Sequence, residues 1–197
     1  MTGLIIIGAS GHGKVVADTA EACGYSDIAF QDQNWPEQTT NAHWPVTGVP
    51  GKSQTTMFCA VGNNEARARL FEELALQDTP ILIHPGAVVS RYAQLGAGTL
   101  VVAGCVVNAY AAIGVGVILN TACSVDHDCT VGDFAHISPG ARLAGNVSVG
   151  ARSWIGIGAV VREGVSIGTD VVVGAGAVVL NDIEDGARVG GVPARRI

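Results

Sequence analysis

Charged and aromatic side chains are both scarce in this chain. Asp, Glu, Lys and Arg make up 14 % of its 197 residues, and Phe, Trp and Tyr only 5 %. The formal net charge is −6, which argues against a nucleic-acid partner because phosphates bind basic surfaces. No apolar run reaches the roughly 20 residues of a membrane span. The aliphatic run Leu4–Ile7 leads directly into Gly8, so the start does not resemble a secretory signal.

Cysteines with a paired spacing are also absent. There are five cysteines, an odd number, which argues against a disulfide framework and predicts a reducing, cytoplasmic location. Cys105 and Cys123 are separated by 18 residues, and Cys129 follows 6 residues later. We interpret these three as small side chains that fill a core.

The dominant feature that is present is a six-residue repeat from Ile83 to Glu184. Counted from Ile83, the first position of each of 17 units is Ile, Leu or Val, and the fifth is nearly always small or β-branched. This period fits neither a helix face nor an alternating strand. It is typical of a hexapeptide β-helix, in which three units close one triangular coil. The repeat therefore predicts five to six stacked coils about 27 Å tall, with third-position residues at outward turns and frequent second-position glycines at turns.

The residues before the repeat predict a small α/β domain. Leu4–Ile7 is typical of a buried parallel strand, and a helix pattern begins near Lys14. The intervening loop Gly8–Gly13 has the spacing G-x-x-G-x-G, and such a loop can present backbone N–H groups to a phosphate. A second strand, Ile28–Gln31, ends at Asp32, where nucleotide-binding folds commonly place an acid. A tight structural turn is the alternative interpretation of the loop.

The stretch between Asp32 and the repeat has a less regular hydrophobic pattern. The stretch 33–50 is interpreted as a surface loop with a short strand near 46–48, and 56–61 as another strand. Asn64 is predicted to cap a helix over 65–77, with Ala66, Leu70 and Leu74 facing inwards and Arg67, Arg69, Glu72 and Glu73 outwards. The stretch 81–83 is predicted to close the small sheet and enter the first coil. The domains are therefore 1–80 and 81–197.

His127 is the candidate for chemistry within the repeat. It lies between Asp126 and Asp128 at a third position, on a scaffold otherwise poor in titratable groups. A carboxylate next to an imidazole orients it and stabilises its protonated form, as a general base requires. His136 follows half a coil later, and Gly145 stacks on His127 one coil later. Two alternatives remain open at this point, a solvated surface histidine and a metal site formed by His127, Asp128 and His136.

The stretch from Val125 to Asn146, together with the glycine loop and Gly191–Arg195, resembles a known family. It is similar to the sugar acyltransferases that carry an N-terminal nucleotide-sugar domain and a left-handed β-helix, such as the bacillosamine and perosamine N-acetyltransferases and the sialic-acid O-acetyltransferases. The resemblance implies a Rossmann-like α/β domain followed by a left-handed parallel β-helix. It also implies a homotrimer and acetyl-CoA as co-substrate, with no metal.

The resemblance also assigns roles by position. It implies that His127 is the catalytic base, that Asp128 raises its basicity and that His136 contacts the thioester end of acetyl-CoA. The Gly145 backbone matches an oxyanion contact. Two further groups follow: Ile157 and Ala175 along the pantetheine groove, and Ser10, Gly11, His12, Asp32, Gln33 and Gly62 on the sugar nucleotide.

The expected reaction is direct N-acetylation of the 4-amino group of a UDP-linked 4-amino-4,6-dideoxy sugar. Related alternatives are a GDP-perosamine N-acetyltransferase and an O-acetyltransferase acting on a sialic acid. A non-catalytic nucleotide-sugar sensor is a candidate from a different class, and a dehydrogenase is disfavoured because about 80 residues are too few for both halves of a dinucleotide fold. A covalent route through Cys123 or Cys129 is also disfavoured.

Overall fold

The N-terminal part is a parallel sheet with two helices. A computed structural model describes residues 3–197. The elements are β1 (Gly3–Ile7), α1 (Gly11–Ala22), β2 (Asp27–Gln31), β3 (Thr40–Asn41), β4 (Trp44–Gly48), β5 (Thr56–Cys59) and α2 (Asn64–Glu73). The strand order is β3-β4-β2-β1-β5, and only β3 is antiparallel. Because β2 and β5 flank β1, the chain reverses direction across the sheet at β1, where nucleotides bind in such folds.

The repeat forms a parallel β-helix, as predicted. Its 17 two-residue strands are β6 (Leu82–Ile83), β7 (Val88–Val89), β8 (Gln94–Leu95), β9 (Leu100–Val101), β10 (Val106–Val107), β11 (Ala112–Ile113), β12 (Ile118–Leu119), β13 (Ser124–Val125), β14 (Thr130–Val131), β15 (His136–Ile137), β16 (Arg142–Leu143), β17 (Ser148–Val149), β18 (Trp154–Ile155), β19 (Val160–Val161), β20 (Ser166–Ile167), β21 (Val172–Val173) and β22 (Val178–Val179). β23 (Arg188–Gly190) and β24 (Arg195–Arg196) follow.

The strands lie in three sheets, one on each face of the prism. The first face begins with β6, the second with β7 and the third with β8, and each strand pairs with the strand 18 residues later. Every coil therefore has three corners, one between each pair of faces. Neither helix among residues 3–197 is long and apolar enough to cross a bilayer.

The prism core contains the residues that the repeat predicts. From Val101 onwards the first-position aliphatics are at most 5 % exposed, and the fifth-position residues from Thr99 to Ala177 at most 2 %. Cys105 and Cys123 stack in this core with their Sγ atoms 3.6 Å apart. All five cysteines are free thiols.

The glycines of the repeat serve two different purposes. Fourth-position residues from 98 to 176 all have a positive φ, so this position makes the left-handed corner. Second-position glycines lie where coils touch: a Cβ at Gly132 would come within 2.6 Å of the Ala151 backbone nitrogen. The second-position glycines are thus required by stacking between coils, and the turn explanation predicted for them is wrong.

Four local predictions in the N-terminal region are wrong. Asn63, not Asn64, caps α2, since its Oδ1 accepts a hydrogen bond from Ala66 N–H, and the helix ends at Glu73. Arg67 is 1 % exposed rather than outward-facing, because its guanidinium finds buried carbonyl acceptors. The segment 82–83 pairs only with β9, so it belongs to the β-helix and does not close the small sheet.

Candidate active site

His127 and Asp128 form a hydrogen-bonded pair at the corner between the second and third faces. His127 Nδ1 lies 2.8 Å from Asp128 Oδ2, and both side chains are about half exposed. Asp126 does not face the imidazole but accepts from the His127 backbone N–H, and Asn108 Nδ2 donates to the same Asp126 oxygen. The hydrogen bond to Asp128 raises the pKa of His127 above its ordinary value. Nδ1 therefore carries the proton, and Nε2 is left as the basic atom.

Gly145 lies directly against this imidazole in the next coil. A Cβ at position 145 would be 2.6 Å from His127 Cε1 and Nε2, so only glycine allows the ring this position. The Gly145 carbonyl accepts from Gly164 N–H, but no group within residues 3–197 accepts from the Gly145 N–H. A hydrogen-bond donor without a partner thus lies beside the basic nitrogen.

A groove of about 610 Å³ runs along the first face and its corner with the second. It contains three of the four positions predicted to bind the co-substrate: His136, Ile157 and Ala175. Trp154 forms its floor, stacked on His136 with ring centroids 5.0 Å apart and donating to Ser138 Oγ at 2.7 Å. Its walls are mainly apolar, and Arg188 lies at the end furthest from His136.

His136 is held neutral at the inner end of this groove. Asn120 Oδ1 accepts from Thr121 N–H, so the Asn120 amide nitrogen must be the group 3.1 Å from His136 Nε2. His136 Nε2 therefore accepts, and the proton is on Nδ1. Burial, with the nearby Arg67 charge, lowers the pKa of His136 to about 3. His136 is thus a neutral imidazole whose Nδ1–H can donate a hydrogen bond.

Arg67 joins the two parts of the chain at this point. Its guanidinium donates to the carbonyls of Gly116 and Phe134 in successive coils, at 2.8 and 2.6 Å. It also donates to Val61 and Gly62 in the loop after β5. Burial lowers the pKa of Arg67 to about 10. The side chain fixes the loop at Gly62 against the strand that carries His136.

The glycine loop lies over the same cluster. His12 is in the first turn of α1, with its ring centroid 6.4 Å from that of His136. Burial lowers the pKa of His12 to about 4. Its Nε2 and the His136 Nδ1 are both buried and have no hydrogen-bond partner within residues 3–197. Ser10 precedes the helix without capping it, so the first-turn N–H groups gain no partner from its side chain. The loop thus lies next to the inner end of the groove.

A second, smaller cavity of about 220 Å³ lies at the carboxyl edge of the parallel sheet. Asp32 and Gln33 line it together with Pro50, Val61 and Arg69. Asp32 accepts from the backbone N–H groups of Ala9 and Asn34, so it also ties the glycine loop to the end of β2. The Gln33 amide has no hydrogen bond within the described part of the chain. The predicted substrate residues thus divide between the His12 cluster and this cavity.

The chain alone does not bring all predicted residues into one place. His127 and Gly145 occupy the corner between the second and third faces, whereas Ile157 and Ala175 occupy the corner between the first and second. Sequence reasoning missed Arg67, Asn120 and Trp154. Trp154 was detectable, because it lies 18 residues after His136 and so must stack on it. Within residues 3–197 no group of three or more His, Cys, Asp or Glu side chains has an arrangement that could hold a metal ion.

Two family matches and one structural neighbour identify the relatives of this chain. Residues 3–74 match the PglD N-terminal domain, and residues 146–181 match the bacterial transferase hexapeptide repeat. The chain is 44 % identical to the acetyltransferase domain of PglB from Neisseria gonorrhoeae FA1090, solved with acetyl coenzyme A. That match has a TM-score of 0.94 and covers 99 % of this chain and 98 % of the other. The chain belongs to the sugar acetyltransferases with a PglD-type N-terminal domain and a hexapeptide β-helix.

Two further members of this acetyltransferase family are informative. PerB from Caulobacter crescentus, solved with CoA and GDP-perosamine, is 38 % identical, with a TM-score of 0.90 and coverage of 99 % of this chain and 97 % of the other. The UDP-N-acetylbacillosamine N-acetyltransferase of Bacillus subtilis (strain 168) is 37 % identical over 115 residues. That alignment spans about half of each chain, 52 %.

Proposed function

We propose that this chain is an acetyl-CoA-dependent N-acetyltransferase acting on the 4-amino group of a UDP-linked 4-amino-4,6-dideoxy sugar. The observation that carries the proposal is the exposed His127–Asp128 pair, whose basic Nε2 lies beside the unpartnered Gly145 N–H. In acyl transfer a base must take the proton of the nucleophile while a nearby N–H donor stabilises the developing oxyanion, and these two groups can do so side by side. Names of the relatives support the acetyl donor and an amino-sugar nucleotide as acceptor.

In the proposed reaction His127 acts as general base in a direct transfer. Its Nε2 takes a proton from the acceptor amine as the nitrogen attacks the thioester carbonyl, and Asp128 stabilises the imidazolium that forms. The Gly145 N–H donates to the oxyanion. The C–S bond then breaks, and the proton held by His127 neutralises the departing thiolate. The hydrogen bond with Cys105, together with burial, raises the pKa of Cys123 well above its usual value, which disfavours a covalent cysteine route.

The groove is the proposed site for the acetyl donor. The neutral His136 Nδ1–H would lie at the thioester end, and the apolar surface near Ile157 and Ala175 would bind the pantetheine arm. Arg188 lies three strands along the same face, about 14 Å away at ordinary strand spacing, where a cation suits the phosphates of CoA.

The proposed nucleotide site is the carboxyl edge of the small sheet. The first turn of α1, with Ser10, Gly11 and His12, offers N–H groups to a phosphate. The lining of the 220 Å³ cavity combines apolar side chains such as Pro50 and Val61 with Asp32, Arg69 and the Gln33 amide. That amide can donate to one carbonyl and accept from the neighbouring N–H of a uracil edge. On this basis we assign residues 1–80 to the sugar nucleotide and 81–197 to acetyl transfer.

A homotrimer completes the proposed site. In a ring of copies, the His127 corner of one protomer can face the first-face groove of the next, which brings the base and the thioester together. The five free cysteines support a reducing cytoplasm as the location.

GDP-perosamine is the second candidate acceptor, supported by the 38 % identity to PerB. The same His127 corner would serve, because both acceptors present a sugar amine. A guanine offers an O6 acceptor next to an N1–H donor, which Gln33 could also pair with, so the base pocket does not by itself separate the two.

Thiol release from acetyl-CoA tests the proposal. The wild-type protein is incubated with UDP-4-amino-4,6-dideoxy-N-acetyl-glucosamine, with GDP-perosamine and with free and CMP-linked sialic acid. Turnover with the UDP-linked amine alone is the expected result. Turnover only with the sialic acid would replace the proposal by O-acetylation, and no thiol release with any acceptor would favour a sensor.

A further inference from the structure

Two exposed tyrosines form a stack on the corner that carries His127. The Tyr92 and Tyr110 rings have centroids 5.5 Å apart and an interplanar angle of 20°. Tyr92 is 56 % exposed and Tyr110 is 66 % exposed. They are two of only three tyrosines in the chain. The Arg91 guanidinium lies 5.9 Å from the Tyr92 ring centroid. Tyrosine combines an apolar ring with one polar atom and is enriched at binding surfaces.

The repeat places this stack directly in line with the catalytic pair. Tyr92, Tyr110 and Asp128 occupy the fourth position of successive coils at one corner, and Asp128 N–H donates to the carbonyl of Ala109. Tyr110 has a φ of 61°, a conformation that suits Gly or Asn better than a bulky ring. The fold therefore does not require an aromatic residue there.

The orientation of the stack leaves one face of Tyr110 available. Tyr92 covers the face of Tyr110 that points to the earlier coil, so the free face points towards the coil of His127 and Asp128. Rings stack on aromatic side chains with centroids about 4.5–7 Å apart, and neighbouring coils are about 4.8 Å apart. A ring stacked on Tyr110 would consequently lie level with His127.

We propose that Tyr110 is the platform on which the acceptor sugar ring stacks, with Tyr92 supporting it from below. This inference rests on the proposed acetyltransfer to a nucleotide-linked amino sugar. In the proposed homotrimer the His127 corner faces the neighbouring protomer's groove, which runs from His136 towards later coils. This leaves the earlier coils, those of Tyr110 and Tyr92, for the acceptor. A 4,6-dideoxy sugar has a C6 methyl group and an apolar C–H face, and both suit an aromatic surface.

Steady-state kinetics of Tyr110 variants test the platform. Wild-type turnover with the amino-sugar nucleotide is established first, because its absence would refute the proposed function and not the platform alone. With turnover present, Y110A and Y110L should raise KM for the acceptor about tenfold, while KM for acetyl-CoA changes less than about twofold. Y110F, which keeps the ring, should remain within about twofold of wild type, and Y92A should raise the acceptor KM by less than Y110A does.

A second measurement separates stacking from a role in subunit packing. The proton resonance of the sugar C6 methyl should move upfield on binding to wild type and to Y110F, because of the ring current, but not on binding to Y110L. Sedimentation should give the same oligomer for all variants. Three results would each overturn the proposal. They are a wild-type acceptor KM in Y110L, an upfield methyl shift on binding to Y110L as large as that with wild type, and dissociation of the oligomer accompanying the loss of activity.

Discussion

His127 and His136 lie nine residues apart and have opposite pKa shifts. His127 is half exposed and bonded to Asp128, which raises its pKa. His136 is 7 % exposed, with Arg67 and His12 as neighbours, and its pKa falls to about 3. One ring can therefore accept a proton near neutral pH, whereas the other can only act as a neutral hydrogen-bonding group. The environment, not the residue type, sets these opposite pKa shifts.

Replacing His127 with Ala should reduce turnover by about 10² to 10⁴, the usual contribution of a general base. The expected loss is in kcat, because the imidazole acts on the amine during attack. Steady-state assays of thiol release measure this loss in kcat. His43→Ala is the matched control, since that side chain is 71 % exposed on the β3–β4 hairpin and should leave kcat unchanged. Near-normal turnover in H127A would remove His127 as the base.

The pH dependence of kcat/KM should report the Asp128 contact. His127 must be uncharged to accept a proton, so the rate falls as the pH drops through its pKa. Asp128 raises that pKa. Asp128→Asn should therefore lower it and move the acidic limb of the profile to lower pH, while the maximal rate decreases because the base is weaker. A limb that stays in place would show that Asp128 does not tune His127.

Part of the site could be predicted from single residues and part could not. His127 and Asp128 could be predicted as a pair because the repeat fixes corner positions and few other residues there titrate. Asn120 and Arg67 were missed because their roles depend on contacts between distant segments. Arg67 lies in a helix turn with Arg69, Glu72 and Glu73, so its local pattern is that of a solvated face.

At the scale of elements, α2 contacts the β-helix through the Arg67 guanidinium and the buried ring of Phe71. Leu70 and Leu74 are only partly buried, whereas the guanidinium bonds to two coils and to the loop after β5. Asn64 adds a bond from its Nδ2 to the Arg152 carbonyl at 2.8 Å, and Phe71 packs edge-on against Phe134. The existence of the β-helix and the glycine loop followed from periodicity and spacing, but nothing periodic marks this junction.

Arg67→Met should lower the free energy of unfolding by about 3 kcal/mol or more, because it leaves several buried carbonyls without a donor. Urea denaturation measures the loss. Arg69→Met on the same helix is the control. Arg69 is 67 % exposed and its one ion pair within residues 3–197 is with Glu73 at 3.6 Å, so its removal should cost no more than about 0.5 kcal/mol. Equal losses in the two variants would contradict a special role for Arg67 at the junction.

At the scale of the whole molecule, the separation of the two corners is the main consequence of the fold. Half a coil separates residues nine apart, so His127 lies at the corner between the second and third faces while His136 lies in β15 on the first face. The sequence spacing of 18 correctly grouped Ile157 with Ala175 and His127 with Gly145. In the proposed homotrimer the two groups meet across a surface between copies, which the spacing within one chain does not describe.

Mixing two inactive variants tests whether the site is shared between copies. His127→Ala lacks the base but keeps the groove, and Ala175→Trp fills the groove but keeps the base. Each alone should be inactive. In a head-to-tail trimer every mixed ring contains one interface with an intact base and an intact groove, so random assembly from equal amounts should restore about a quarter of wild-type activity.

The way in which the two variants are mixed shows whether recovered activity comes from trimers that contain both. The two variants are unfolded together and refolded, with separately refolded samples combined afterwards as the control, because exchange between finished trimers should be slow. Recovery only after joint refolding, with sedimentation giving three chains of 20.0 kDa, would establish that one protomer's corner works on its neighbour's groove. If each protomer held a complete site, no combination of these variants could regain activity, since every chain would lack one half of its own site.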